Sequence, residues 1–255
     1  MGFAGQRIIV VVAGNARHGK DAISDMLVGL LPDARRDAYA APLKMCVHLK
    51  TGIPLEILNG TTEQKESITL GRYGKTPRQL MQEEGQEARE RLGKTVWMDR
   101  AVERALAAPE RVTIISDGRH PKEEIEGVAD RVGASDLVLG VRVVRPSMPV
   151  VPGHPSEDKI AAEPDETFDA VVTNDGTLDD LSLAAQQVAD LVVLRAKTGL
   201  KRPEGFVAVF ADGARLAEPL VLLEEAEAIA AEHVRSQEES GWSTASVSYD
   251  RILIP

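Results

Sequence analysis

The sequence predicts an α/β protein in which a parallel sheet lies between two layers of helices, followed by a small C-terminal α+β module. Three observations carry this. Apolar, β-branched runs alternate with segments at helical spacing, the pattern of βαβ units. Hydrophobic residues make up 43% of the chain but aromatics only 4%, so the core is built from Val, Leu, Ile and Ala, which suit buried parallel strands under helices. The first apolar run also leads straight into a glycine-rich loop that opens a helix. At 255 residues the chain has room for one full domain and an appendage, placed at 1–200 and 201–255.

The elements follow in order. A strand is expected over Arg7–Ala13, and a helix over Lys20–Leu31, with Ile23, Met26, Leu27, Leu30 and Leu31 at helical spacing and a stop at Pro32. A short strand follows at Ala34–Tyr39, then a helix opening at Pro42 and carrying Leu43, Val47 and Leu49. Residues Thr51–Thr76 read as short helices and polar loop. Thr76-Pro77 is a capping residue before a first-turn proline, which starts a helix reaching Leu92. Another helix covers Trp97–Ala107. A β-branched strand, Arg111–Ser116, ends at Asp117, and a helix follows over Pro121–Val132. Leu137–Val144 is a strand, Arg145–Glu166 a proline-rich loop, Ala170–Thr173 the last core strand, and Leu178–Ala196 the closing helix. Beyond a linker at Thr198–Gly205, the module reads as a strand (Phe206–Phe210), a helix (Glu218–Ser236) and a strand (Ser243–Ile254).

Composition excludes several roles. A net charge of -10 argues against a nucleic-acid backbone as the main partner, since that binding rests on Lys and Arg neutralising phosphates. Cys46 is the only cysteine, which rules out an internal disulfide and a cysteine-cluster metal site and fits a reducing, cytoplasmic setting. The apolar run Ile8–Ala13 is too short for a signal segment or a membrane span. His18, His48, His120 and His233 lack metal-ligand spacing.

The chemistry sits in Gly14-Asn-Ala-Arg-His-Gly19-Lys20-Asp21, which matches the phosphate-binding pattern G-x-x-x-x-G-K-[ST] except that Asp takes the last place. Gly14 and Gly19 let the backbone curl with its N–H groups inward, the helix N-terminus adds partial positive charge, and Lys20 would bridge the β- and γ-phosphates of ATP. Asp21 has two readings: a residue complementing the helix dipole, or a magnesium ligand, direct or through water. Asp117, at the end of an apolar strand, stands where such enzymes place the acidic group that orients Mg2+.

Several segments, in order, resemble those of bacteriophage deoxynucleoside monophosphate kinases. Gly19-Lys20-Asp21 is similar to that family's phosphate loop. Tyr39-Ala-Ala-Pro42-Leu43-Lys44 resembles its Pro-Leu-Lys segment, Thr76-Pro77-Arg78-Gln79-Leu80-Met81-Gln82 its Thr-Pro-Arg-Gln helix start, and Trp97-Met98-Asp99 the opening of its next helix. Ser116-Asp117-Gly118-Arg119-His120-Pro121-Lys122-Glu123 is similar to its Asp-Val-Arg-Phe-Pro-Asn-Glu, His154-Pro155-Ser156-Glu157 to its His-x-Ser-Glu loop, and Asn174-Asp175-Gly176-Thr177-Leu178 to the lead into its last helix. The resemblance spans residues 7 to 196 and leaves the C-terminal module uncovered. It departs at Ala22, where the family often has Thr.

The resemblance implies a P-loop NTPase fold of three α/β/α layers, ATP and Mg2+, and transfer of the γ-phosphate to a deoxynucleoside monophosphate (dNMP), giving the diphosphate for phage DNA synthesis. The ATP set is then Gly14, Asn15, Ala16, Arg17, His18, Gly19, Lys20, Asp21 and Ala22, with the Arg17 side chain toward solvent. Lys20, Arg119 and Arg145 are the expected catalytic residues; Lys44, Arg72, Arg78 and Asp117 line the acceptor site, and Asp21 and Asp117 are the metal ligands. Guanidinium forks suit phosphate oxygens, and the loop after Arg145, with His154 and Glu157, is placed like a lid. Two other functions stay open: a kinase acting on a modified nucleotide in DNA, and a nucleotide-binding scaffold without turnover. The module is equally open to packing, homodimerisation or binding a partner.

Overall fold

The run Ile8–Ala13 is six apolar residues, all buried, and such a run is stable only with neighbours on both edges and helices on both faces. The structure, a computed structural model, describes residues 5–67, 73–149, 155–198, 206–211, 214–215, 221–222 and 247–250. In it, β1 (Ile8–Ala13) is the middle strand of five. It pairs in parallel with β3 (Val112–Gly118) and β4 (Leu137–Val144), and β2 (Ala34–Asp37) and β5 (Ala170–Thr173) pair in parallel outside them. The order is β2-β3-β1-β4-β5. The register of β1 against β3 shifts between Val11 and Ala13, just before the glycine-rich loop.

Because successive strand residues face opposite ways, β1 supplies two cores. Ile8, Val10 and Val12 pack with Ile23 and Leu27 of α1 (Lys20–Leu30) and with Ala185, Val188 and Val192 of α9 (Leu178–Thr198). Ile9 and Val11 pack on the other face with Leu43 of α2 (Ala41–Thr51), Ala88 of α5 (Pro77–Leu92), Trp97 and Ala101 of α6 (Val96–Ala107) and Val128 of α7 (Pro121–Ala129). Helices on both faces of an all-parallel sheet make this an α/β fold compatible with three layers. Two short helices, α3 (Leu55–Asn59) and α4 (Thr62–Ser67), fill the stretch between α2 and α5, as expected for 51–76. Among the described residues no helix is long and apolar enough to cross a membrane.

Some boundaries differ from expectation. Within the segment expected to be loop lies a helix, α8 (Pro155–Ala162), followed by a 3-10 turn at Asp165–Thr167. Ile160, fully buried, anchors it, while Arg142 of β4 holds its exit, donating to the carbonyls of Ile160 at 3.2 Å and Glu163 at 2.6 Å. The prolines hid this signal. Strand β2 ends at Asp37 rather than Tyr39, because Asp37 turns back to accept the Ala38 N–H at 2.7 Å. Helix α7 stops at Ala129, short of Val132.

In the C-terminal part, β6 (Phe206–Ala211) pairs antiparallel with β7 (Ala214–Arg215), β8 (Val221–Leu222) and β9 (Val247–Asp250). Val221 and Leu222 fall inside the expected helix Glu218–Ser236 and are strand instead. A short apolar run reads equally well as either element, and pairing to β6 decides it. The rest of that expected helix lies outside the described residues.

Candidate functional site

The strand order creates a switch point. Helix α1, leaving β1, packs on one face of the sheet, and α7, leaving β3 and crossing to β4, packs on the other. A crevice therefore opens at the carboxyl ends of β1, β3 and β4, the usual ligand position in open α/β sheets. The glycine-rich loop, the turn after β3 carrying Arg119, and Arg145 after β4 all sit there.

The loop is held tightly. The Lys20 ammonium, only 9% exposed, donates to the Asn15 carbonyl at 2.8 Å and so folds back over the loop. His18 is 4% exposed; its carbonyl accepts from the Asn174 side-chain amide at 2.9 Å, and its Nδ1 accepts the Arg145 N–H at 3.2 Å. Gly19 has φ 102 and Arg17 φ 66, conformations that favour glycine. A Cβ on Gly14 would overlap the Val143 carbonyl, and one on Gly19 the Asn174 amide. Arg17 is exposed, as expected, and Ala16 half-buried. Ala22 packs against the core shared by α1 and α9, so its methyl serves packing.

Asp21 stands in the first turn of α1 with its side chain 80% exposed, ion-paired to Arg36. Arg36, at the end of β2, also pairs with Asp25 of α1 at 2.7 Å and donates to the Ser116 hydroxyl at 3.0 Å, clipping α1 to β2 and β3. Asp117 uses both oxygens on backbone: one accepts the Tyr39 N–H at 2.7 Å, the other the Ala40 N–H at 3.0 Å. With Asp37 on the Ala38 N–H, two carboxylates secure three consecutive N–H groups at the entrance to α2.

A second group of cations comes from separate helices. Lys44 of α2 donates to Asn59 at 2.9 Å, and Arg78 of α5 pairs with Glu66 of α4 at 2.8 Å. Arg78 is placed by a capping box: the Thr76 hydroxyl accepts the Gln79 N–H, and the Gln79 side chain accepts the Thr76 N–H. Between them lies Lys65 of α4, whose ammonium is held below its ordinary pKa by burial and then by Lys44, Arg78 and Arg119, with Asp21 acting the other way. Lys44, Arg78, Arg119 and Asp21 are thus all near enough to Lys65 to act on its charge. Arg72 and His154 lie outside the described residues; Glu157 belongs to α8.

Beneath the crevice, Glu124 of α7 accepts the Arg119 N–H at 2.9 Å. A Cβ on Gly118 would lie 3.2 Å from Glu124 Oε2 and 3.1 Å from the Ala13 Cβ, so this carboxyl sits at the seam of β1 and β3. Burial, with Asp117 adding to it, raises its pKa to about 7. Tyr39, 7% exposed, has its pKa pushed well up by burial and by Glu124 and Asp117, so the phenol stays protonated.

The loop residues, Asp117, Arg119 and Arg145 lie at the carboxyl ends of β1, β3 and β4, and Lys44, Arg78 and Arg119 all act on the charge of Lys65. Sequence reasoning missed Lys65, Arg36, Glu124 and the role of Asn174. Asn174 stood in a segment already singled out, whereas Lys65 sits in a polar stretch without any motif. Among the described residues no group of three or more His, Cys, Asp or Glu could hold a metal ion. Compared with known proteins, the chain matches no protein-family model and no curated protein sequence.

Proposed function

We propose that the chain is a P-loop phosphotransferase that moves the γ-phosphate of ATP to the phosphate of a deoxynucleoside monophosphate. What supports this reading is that two candidate anion sites of different construction lie near enough for Asp21 of one to act on Lys65 of the other. One is the glycine-rich loop with Lys20 at a helix N-terminus; the other is the cation group Lys44, Lys65, Arg78 and Arg119. The Lys65 ammonium is held below its ordinary pKa first by burial and then by the cations Lys44, Arg78 and Arg119, and an anionic ligand would relieve that second, like-charge part.

In the transfer, an oxygen of the acceptor phosphate bonds to the γ-phosphorus as the bond to the β,γ-bridging oxygen breaks, and ADP leaves with that electron pair. The acceptor is already an oxyanion and needs no general base. The protein's work is positioning and charge neutralisation: loop N–H groups and Lys20 on the donor, the four cations on the acceptor, Arg145 from the β4 side. Asp21 and Asp117 suit magnesium, because a carboxylate has about four lone-pair sites and Asp117 uses two on backbone N–H groups. Mg2+ would arrive on the nucleotide, held by one or two carboxylates plus phosphates, and would neutralise charge developing between them.

The test is ADP release with ATP, Mg2+ and each of the four deoxynucleoside monophosphates, run beside Lys20→Ala. Turnover that depends on Lys20 is expected with at least one acceptor; ATP binding without turnover on any acceptor would sink the proposal.

A further inference from the structure

The turn between β5 and α9 touches the glycine-rich loop at one point. Asn174, which closes β5, donates its own N–H to the Val144 carbonyl at 2.7 Å and its side-chain amide to the His18 carbonyl at 2.9 Å. The turn is itself pinned at both ends. Asp175 accepts the Ser147 N–H at 3.1 Å, and the Thr177 N–H donates to Asp180 at 2.7 Å. Gly19 lies so close to the Asn174 amide that no side chain fits between them.

We infer that Asn174 is a positioning residue for the glycine-rich loop, acting through the His18–Gly19 peptide. A trans peptide is planar, and its C=O and N–H point in opposite directions. By holding the His18 carbonyl toward β5, Asn174 turns the Gly19 N–H the other way, away from β5. The Arg145 N–H on His18 Nδ1 fixes the same residue from β4, so the peptide cannot rotate freely. A phosphate loop depends on such N–H directions being set before the anion arrives. The importance of that N–H for phosphate rests on the proposed function; the clamp on the loop does not.

The experiment uses the full chain and compares wild type with Asn174→Ala and Asn174→Asp, the second keeping the shape while removing the donor. Hydrogen exchange is followed without ligand, and Mg-ATP binding by calorimetry. Exchange across Gly14–Lys20 is expected to quicken about tenfold in both variants, the effect of losing one hydrogen bond, with Val112–Ser116 unchanged. Mg-ATP affinity should fall about tenfold while the acceptor KM holds. Unchanged loop exchange, or exchange quickened equally in Val112–Ser116, overturns the inference. A wild type that does not bind Mg-ATP removes the proposed function, while the exchange comparison still decides the role of Asn174.

Discussion

The two walls of the proposed site, donor and acceptor under the function proposed above, are built by opposite means. The donor wall is eight consecutive residues, Gly14–Asp21, whose shape comes from backbone conformation and short hydrogen bonds: φ 102 at Gly19, Lys20 on the Asn15 carbonyl at 2.8 Å. The acceptor wall is four cations from four places, Lys44 on α2, Lys65 on α4, Arg78 on α5 and Arg119 after β3, whose meeting depends on how helices pack. A site made of backbone tolerates few substitutions but is fixed locally; a site made of side chains is tunable and is lost if one helix shifts. Each variant below asks whether that division is real.

The largest effect is expected at Lys20. Removing a cation that acts on the transferring phosphate costs about 10³-fold in kcat/KM, about 4 kcal/mol, so Lys20→Ala should lose activity on every acceptor alike. A loss confined to one acceptor would mean that the walls are not separable.

Glu124 lies at the seam between the walls, and its raised pKa makes a stability prediction. Below pH 4.5 the group is protonated whether folded or unfolded and contributes nothing. Between 4.5 and about 7 the unfolded chain releases the proton while the folded chain retains it, so the unfolded state binds fewer protons and stability falls as pH rises. Above about 7 the loss is complete, at about 3 kcal/mol. Denaturant titrations of Glu124→Gln should show this part of the slope gone and a variant more stable than wild type at pH 8. Parallel curves for the two proteins would place the charge elsewhere.

Lys65→Met tests the acceptor wall alone. Losing one of four cations should raise the acceptor KM about tenfold, about 1.4 kcal/mol, and leave the KM for ATP unchanged; steady-state kinetics with each substrate varied in turn reads this directly. An ATP effect of equal size would assign Lys65 to the nucleotide donor.

The same division explains what the sequence disclosed. The sheet was legible because β1 is apolar over its whole length and β3 opens on the β-branched run Val112–Ile115, and the donor wall because glycine, lysine and a helix start occur at fixed spacing in one stretch. Lys65 was not, because Thr62–Ser67 has no periodicity and its meaning arises only where Arg78 reaches across to Glu66. Helix α8 was missed because prolines before it outweighed its buried anchor, Ile160. Asp117 was found by position, yet its hold on the Tyr39 and Ala40 N–H groups joins two segments 77 and 78 residues apart, which no local pattern encodes.

Asp21 gives the smallest effect and the finest cut, since it ends the donor wall and faces the acceptor cations. Its ion pair with Arg36 is at the surface, with the Asp21 side chain 80% exposed, so Asp21→Asn should change folding stability by no more than about 0.5 kcal/mol. Arg36 keeps Asp25 and Ser116, so the clip between α1 and β2 survives. What remains is the carboxylate's charge at the mouth of the loop. If that charge helps hold Mg2+, the magnesium concentration for half-maximal rate should rise about threefold with the KM for the acceptor unchanged. If it instead offsets the cations, Lys65 loses a neighbour that raises its pKa, and the acceptor KM should fall while magnesium dependence stays put. Magnesium titrations at saturating and subsaturating acceptor separate these outcomes, and with them whether Asp21 belongs to the metal or to the balance of charge between the walls.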